Sequence, residues 1–195
     1  MTRGELTEYL LSRPSSAKLA RWVYKELASD DIYLQVKALE AIAWDERIPW
    51  KHRWLWQELE RTKGDSFGDW VVIAIAGAPI RKVSDFPRFI SLYNDETAHP
   101  HTRGSAVFGL NSCVYQAELS EFDDGLKRLT DSNLEQIRTT CKQALCNESN
   151  AYARAGACWL AMTLGGFEED LKRLSKDQTR IEVSGGGIVA EYAVG

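Results

Sequence analysis

The chain has 195 residues, 44% of them hydrophobic and 27% charged, with a net charge of −4. That length favours a single domain over residues 1–195 with a sizeable core, and the composition is that of a globular protein. The acidic balance argues against nucleic acid as a non-specific partner and fits a basic protein partner better.

Read in chain order, the apolar spacing predicts helices throughout. Glu5–Leu11 is a short amphipathic helix stopped at Pro14. Ser15 or Ser16 can cap Ala17–Leu27, where Leu19, Trp22, Val23 and Leu27 recur at helical spacing. Ser29-Asp30-Asp31 turns into a third helix over Ile32–Trp44, and Pro49 opens Trp50–Thr62, where its missing N–H is harmless. Gly64 breaks the chain before Phe67–Ala78. Phe86–Tyr93, His101–Tyr115, Ser120–Leu129, Asn133–Leu145, Ala151–Leu164, Phe167–Leu174 and Ile181–Val194 complete the series. Val71–Ala76 could be a buried strand by periodicity alone, but its neighbours are helical on both sides and it is read as helix.

Two kinds of helix alternate. Ala151–Leu164 carries one charge, Arg154, and is otherwise mostly small and apolar; such a helix is expected to be covered by neighbours on every broad side. Ala38–Trp44, Val71–Ala78, Gly104–Tyr115 and Gly185–Val194 are of the same kind, with charged amphipathic segments between them. Aligned on their first turn, Lys37, Trp70 and Arg103 stand 33 residues apart, followed three residues on by Glu40, Ile73 and Ala106. Arg103-Gly-Ser-Ala-Val-Phe and Arg154-Ala-Gly-Ala-Cys-Trp match in character place by place, 51 residues apart. Either Ser120–Leu129 is an insertion between them, or Asn133–Leu145 is the second helix of its own repeat. Units with a period in the thirties bury their apolar faces by stacking.

This pattern resembles HEAT repeats, in which the second helix of each pair opens on an apolar-basic pair followed by alanines. The phrases that carry the resemblance are Val36-Lys37, Thr102-Arg103, Ile137-Arg138 and Ala153-Arg154, while Trp70 replaces the basic residue in one unit. The resemblance implies an all-α fold, an α-α superhelix of stacked antiparallel helix pairs.

The search for chemistry returns no catalytic constellation, so the expected protein is not an enzyme and has no cofactor. His99-Pro100-His101 lacks the further ligands a metal site needs. Ser184-Gly-Gly-Gly-Ile188 opens an apolar helix and could hold an anion on bare N–H groups, but close packing of the last helix accounts for it better. The four cysteines form no Cys-x-x-Cys pair, and three sit in apolar helical patterns, as reduced, buried thiols do.

Two surfaces are candidates for partner binding. Glu118, Glu121, Asp123 and Asp124 cluster at a helix start, where they complement the helix dipole and could form an acidic docking face. On a helical wheel of Trp50–Thr62, Leu55, Trp56 and Leu59 share one side while Trp50, Trp54 and Arg61 share the other, an aromatic-plus-arginine arrangement typical of binding hot spots. Core packing of the tryptophans is the alternative, and it is the expectation for Trp54, with Trp50 at the surface. By size, charge and architecture the chain is similar to bacterial immunity proteins, which implies a protein partner such as a basic toxin domain. A HEAT-like DNA glycosylase, for which Lys37, Arg103, Arg138 and Arg154 would start a basic stripe, and a scaffold subunit are the alternatives. No uncharged run reaches the ~18 residues of a membrane span, and the N-terminus has no apolar signal core, so no membrane and a cytoplasmic location are expected.

Overall fold

A computed structural model describes residues 22, 25–44, 51–77, 83–119, 129–147, 149–181 and 187–194. Of these, 78% are helical and none forms a strand, so Val71–Ala76 is helix. The elements are α1 (Ile32–Trp44), α2 (Lys51–Thr62), α3 (Phe67–Gly77), a 3₁₀ turn (Val83–Asp85), α4 (Phe86–Asn94), α5 (Pro100–Leu119), α6 (Asp131–Leu145), α7 (Ala151–Leu164), α8 (Glu168–Leu174) and α9 (Val189–Ala193). Trp22 and residues 25–27 are helical as well. The expected helix Glu5–Leu11, and all but Leu129 of Ser120–Leu129, lie outside the described residues.

Local chemistry accounts for the boundaries. Thr130 and Asn133 form a reciprocal capping box at α6, each side chain accepting from the other's backbone N–H at 3.2 and 3.1 Å. Asn150 caps α7 by accepting from Ala153 N–H at 2.9 Å, and its amide donates to the Pro100 carbonyl at 2.8 Å, joining the starts of α5 and α7. Gly165, at φ +66°, ends α7 in a conformation that L side chains rarely adopt. The last helix differs from the expectation. It begins at Val189 rather than Ile181, because Arg180 and Ile188 pair as a bridge and the N–H groups of Ile181 and Val189 donate to Gly187 and Thr179. A five-residue helix also leaves little dipole for an anion at its start.

The charge-poor helices pack in succession, α1 on α3, α3 on α5, α5 on α7 and α7 on α9. The amphipathic helices pack against them and each other: α2 against α3, α4 against α5, α6 against α7 and α4, and α8 against α9. The sequence offsets reappear as contacts. His52 meets Asp85 and Trp56 meets Phe89, each pair 33 residues apart, and Phe108 meets Trp159 across 51. The core between the rows includes Leu39, Ile42, Leu55, Leu59, Ile75, Phe89, Leu110, Ile137 and Leu145, all fully buried. Cys113, Cys141 and Cys158 are buried free thiols, pushed up to about 12, 12 and 11 by burial, while Cys146 is exposed.

The basic residues at the repeat positions hold helix ends. Arg103 Nε donates to the Tyr93 carbonyl at 2.8 Å, closing the end of α4. Arg154 donates to the Asn147 carbonyl just beyond α6 at 2.7 Å and to Asp177 at 2.9 Å. Arg138 reaches the Leu164 and Gly165 carbonyls at 2.5 and 2.8 Å. Cations placed on C-terminal carbonyls satisfy orphan acceptors and complement the dipole.

At the end of α2, Lys63 Nζ pairs with Asp95 at 2.8 Å and Glu60 at 2.9 Å. The Lys63 hydrogen bond, followed by those from Thr97, lowers the Asp95 carboxyl from its ordinary 3.8 to about 2. A depressed carboxyl stabilises the fold above its ordinary range, and that contribution disappears as pH falls through the folded value. Stability is therefore expected to drop between pH 4 and pH 2, and Asp95→Asn should flatten this part of the profile in denaturation midpoints measured across that range.

Candidate docking face

A run of rings crosses the charge-poor helices. In order along it, His99 and His101 stand 4.9 Å apart, His101 and Tyr152 6.1 Å, Tyr152 and Phe108 5.1 Å, Phe108 and Trp159 5.5 Å at 90°, and Trp159 and Tyr192 5.7 Å. These rings come from the start of α5, its middle, α7 and α9, so the run crosses three helices of the row. Edge-to-face and offset contacts at these distances are the favoured ring geometries. Trp159 remains 45% exposed, and Met162 three residues on is 40% exposed. Tyr115, two turns beyond Phe108 on α5, is 49% exposed, and Ile73 on α3 is 41% exposed. The expectation that Ala151–Leu164 is covered on every broad side is thus corrected: α7 buries Ala153–Cys158, Leu160 and Ala161, but leaves Trp159 and Met162 open.

Two glycines seat the rings. A Cβ at Gly104 would lie 2.6 Å from Tyr152 Cδ1, so the Tyr152 ring of α7 rests directly on the backbone of α5. Reciprocally, a Cβ at Gly156 would meet Phe108 Cδ2 and Cε2 at 3.0 Å and Val107 Cβ at 3.3 Å. Each helix therefore presents a bare turn to the other's ring. Gly156→Leu should overpack this contact by roughly 1–3 kcal/mol, read as a lowered urea midpoint at unchanged slope.

Beneath the rings lies a buried polar chain. Ser105, itself buried, donates its one proton to Asp69. That leaves the Tyr152 hydroxyl to donate to Ser105 Oγ, 3.2 Å away. Burial, then the Asp69 charge, pushes Tyr152 up to about 12, so the hydroxyl keeps its proton. Burial raises Asp69 as well, against the Ser105 hydrogen bond and the nearby His101 and His99. The consequence for the face is rigidity: the Tyr152 ring is pinned at its hydroxyl and seated on Gly104. Thr163 Oγ1 also donates to Asn111 Oδ1 at 2.8 Å, locking α7 to α5 further along.

The residues chosen from sequence lie elsewhere. Trp54 is half-buried on α2 and packs against the core. Arg61 is exposed and hydrogen-bonded to the buried Glu58 through Nε at 3.2 Å and a second, shorter contact. Trp50, Glu121, Asp123 and Asp124 lie outside the described residues, as does the side chain of Glu118 at the end of α5. The face itself had a sequence signal. The matched phrases beginning at Arg103 and Arg154 end on Phe108 and Trp159, the two rings that meet edge-on. Read only as repeat consensus, those aromatics do not announce that they touch. Among the described residues no three His, Cys, Asp or Glu side chains converge on a metal-sized site, and no helix is long and apolar enough to cross a membrane.

Compared with known proteins, the chain matches no family model, no curated protein and no solved structure.

Proposed function

We propose that this is a non-enzymatic protein-binding module of HEAT-like design that holds its partner on the ring-bearing face of α5, α7 and α9. The carrying observation is the continuous ring run with Trp159, Tyr115 and Met162 open beside it. Exposed apolar patches on a structured surface mark interaction sites, and aromatic anchors dominate binding energy. Pinning Tyr152 from below lowers the ordering cost of association. The 33- and 51-residue offsets, realised as neighbouring contacts, support reading the stack as a solenoid. Neutralisation of a basic toxin domain is the narrower form of this reading, supported by the net charge of −4.

The glycosylase alternative requires cations directed at phosphates. Arg103, Arg138 and Arg154 are instead committed to carbonyls at helix ends, and Lys37 is paired with Glu40. That arrangement favours the binding module.

The test is site-specific photo-crosslinking in the source cell. A crosslinker replacing Tyr115 is expected to capture a discrete protein, and one replacing Lys172 on α8 is not. Trp159→Ala should keep its thermal melt and weaken capture by about 2 kcal/mol or more. Equal capture from both positions, no capture, or capture indifferent to Trp159→Ala would overturn the proposal. Tight duplex DNA binding that falls steeply with salt would favour the glycosylase instead.

A further inference from the structure

A second feature is formed by residues separate from the docking face. α2 and α4 run parallel, tied at their starts by His52 Nε2 and Asp85 Oδ2 at 2.7 Å and at their ends by Lys63 and Asp95 at 2.8 Å. Between them lies a groove of about 590 Å³, within the range of small-molecule sites. Trp56, Leu59 and Leu92 form its apolar floor.

The groove is polarised. At one end stand the first turns of α2 and α4, whose dipoles place partial positive charge there. Arg53 and Arg88 line the same groove, and neither makes an ion pair among the described residues. Arg88 instead lies 4.8 Å above the Trp56 ring, which leaves its N–H edges open to an acceptor. Asp85, 3% exposed and bonded to His52, offsets part of this charge, and two arginines with two helix starts leave the end net positive. At the other end Lys63 is shared by Glu60 and Asp95, which leaves that end net negative.

His52 Nε2 lies 2.7 Å from Asp85 Oδ2, and the Trp56 indole N–H approaches the same nitrogen at 3.3 Å, so the indole edge sits at the start of α2. Two arginines beside two helix starts call for an oxyanion of more than one negative charge. The apolar floor beside them calls for a ring or chain attached to it.

We infer that the groove between α2 and α4 binds a small phosphate monoester, its phosphate at the Arg53 and Arg88 end and its apolar body over Leu59 and Leu92. The probe is phenyl phosphate, followed through the Trp56 indole cross-peak in ¹⁵N-edited spectra of the full chain, with inorganic phosphate and benzoate as comparison ligands. A saturable shift with Kd of about 1 mM or below is expected for phenyl phosphate. Inorganic phosphate, lacking the ring, and benzoate, lacking the second charge, should each bind at least about tenfold more weakly. Both arginines are exposed, so Arg53→Ala and the Arg53→Ala/Arg88→Ala pair should melt with the wild type while weakening phenyl phosphate, the pair by at least about tenfold. No saturable shift, benzoate equal to phenyl phosphate, or undiminished binding in Arg53→Ala and in the double variant would each overturn the assignment.

Discussion

Arg154→Ala is expected to cost about 3–5 kcal/mol of stability, the loss typical of removing one partner from a buried ion pair. Arg154 is 4% exposed and holds two structures at once, the Asn147 carbonyl at the end of α6 and the Asp177 carboxylate beyond α8. Burial works against the Asp177 charge, but hydrogen bonds from Thr179 and the Arg154 guanidinium hold the carboxyl below its ordinary range. Truncating Arg154 strands that carboxylate and a carbonyl together. Arg103→Ala is the comparison, because Arg103 is only half-buried and has no carboxylate partner among its hydrogen bonds; its loss should be clearly smaller. Urea denaturation of both variants measures the difference. A loss below about 1 kcal/mol for Arg154→Ala, the scale of exposed pairs, would show that the α6–α8 clamp does not stabilise the fold.

The second large effect is expected at Phe89. Its ring is 1% exposed, lies 5.1 Å from Trp56, and presses on the bare backbone of α5, where a Cβ at Gly109 would stand 2.6–2.8 Å from three ring carbons. Phe89→Ala should therefore cost about 3–5 kcal/mol, because the glycine opposite offers no side chain to fill the void. Gly109→Ala alone should cost roughly 1–3 kcal/mol by overpacking. The two changes share one space, so the double variant should be less destabilised than the sum of the singles. Strict additivity in a double-mutant cycle would show that the ring and the glycine do not share that space.

Helix bounds and some of the contacts between helices are legible in the amino-acid sequence. The helices Ile32–Trp44 and Ala151–Leu164 have in the structure the bounds their apolar spacing predicts. Asn133–Leu145 begins two residues earlier in the structure, at Asp131. Residues 33 apart on α2 and α4, such as Trp56 and Phe89, are neighbours in the fold. The segment Ile181–Val194 departs from its local pattern. Its apolar residues suit a helix, but the pairing of Arg180 with Ile188 outweighs that preference.

The sequence by itself determined that the chain is helical and that charge-poor and amphipathic helices alternate, since both follow from periodicity within one turn or two. Only the tertiary structure decided that Tyr152, Phe108, Trp159 and Tyr192 meet, and that Trp159 and Met162 stay open beside them. It likewise decided that Trp54 packs inward while Arg53 and Arg88 line a shared groove. The physical reason lies in the range of the interactions. A helix is closed by bonds four residues apart, whereas a glycine seats a ring only when another helix, about fifty residues away for Gly104 and Tyr152, brings that ring against it.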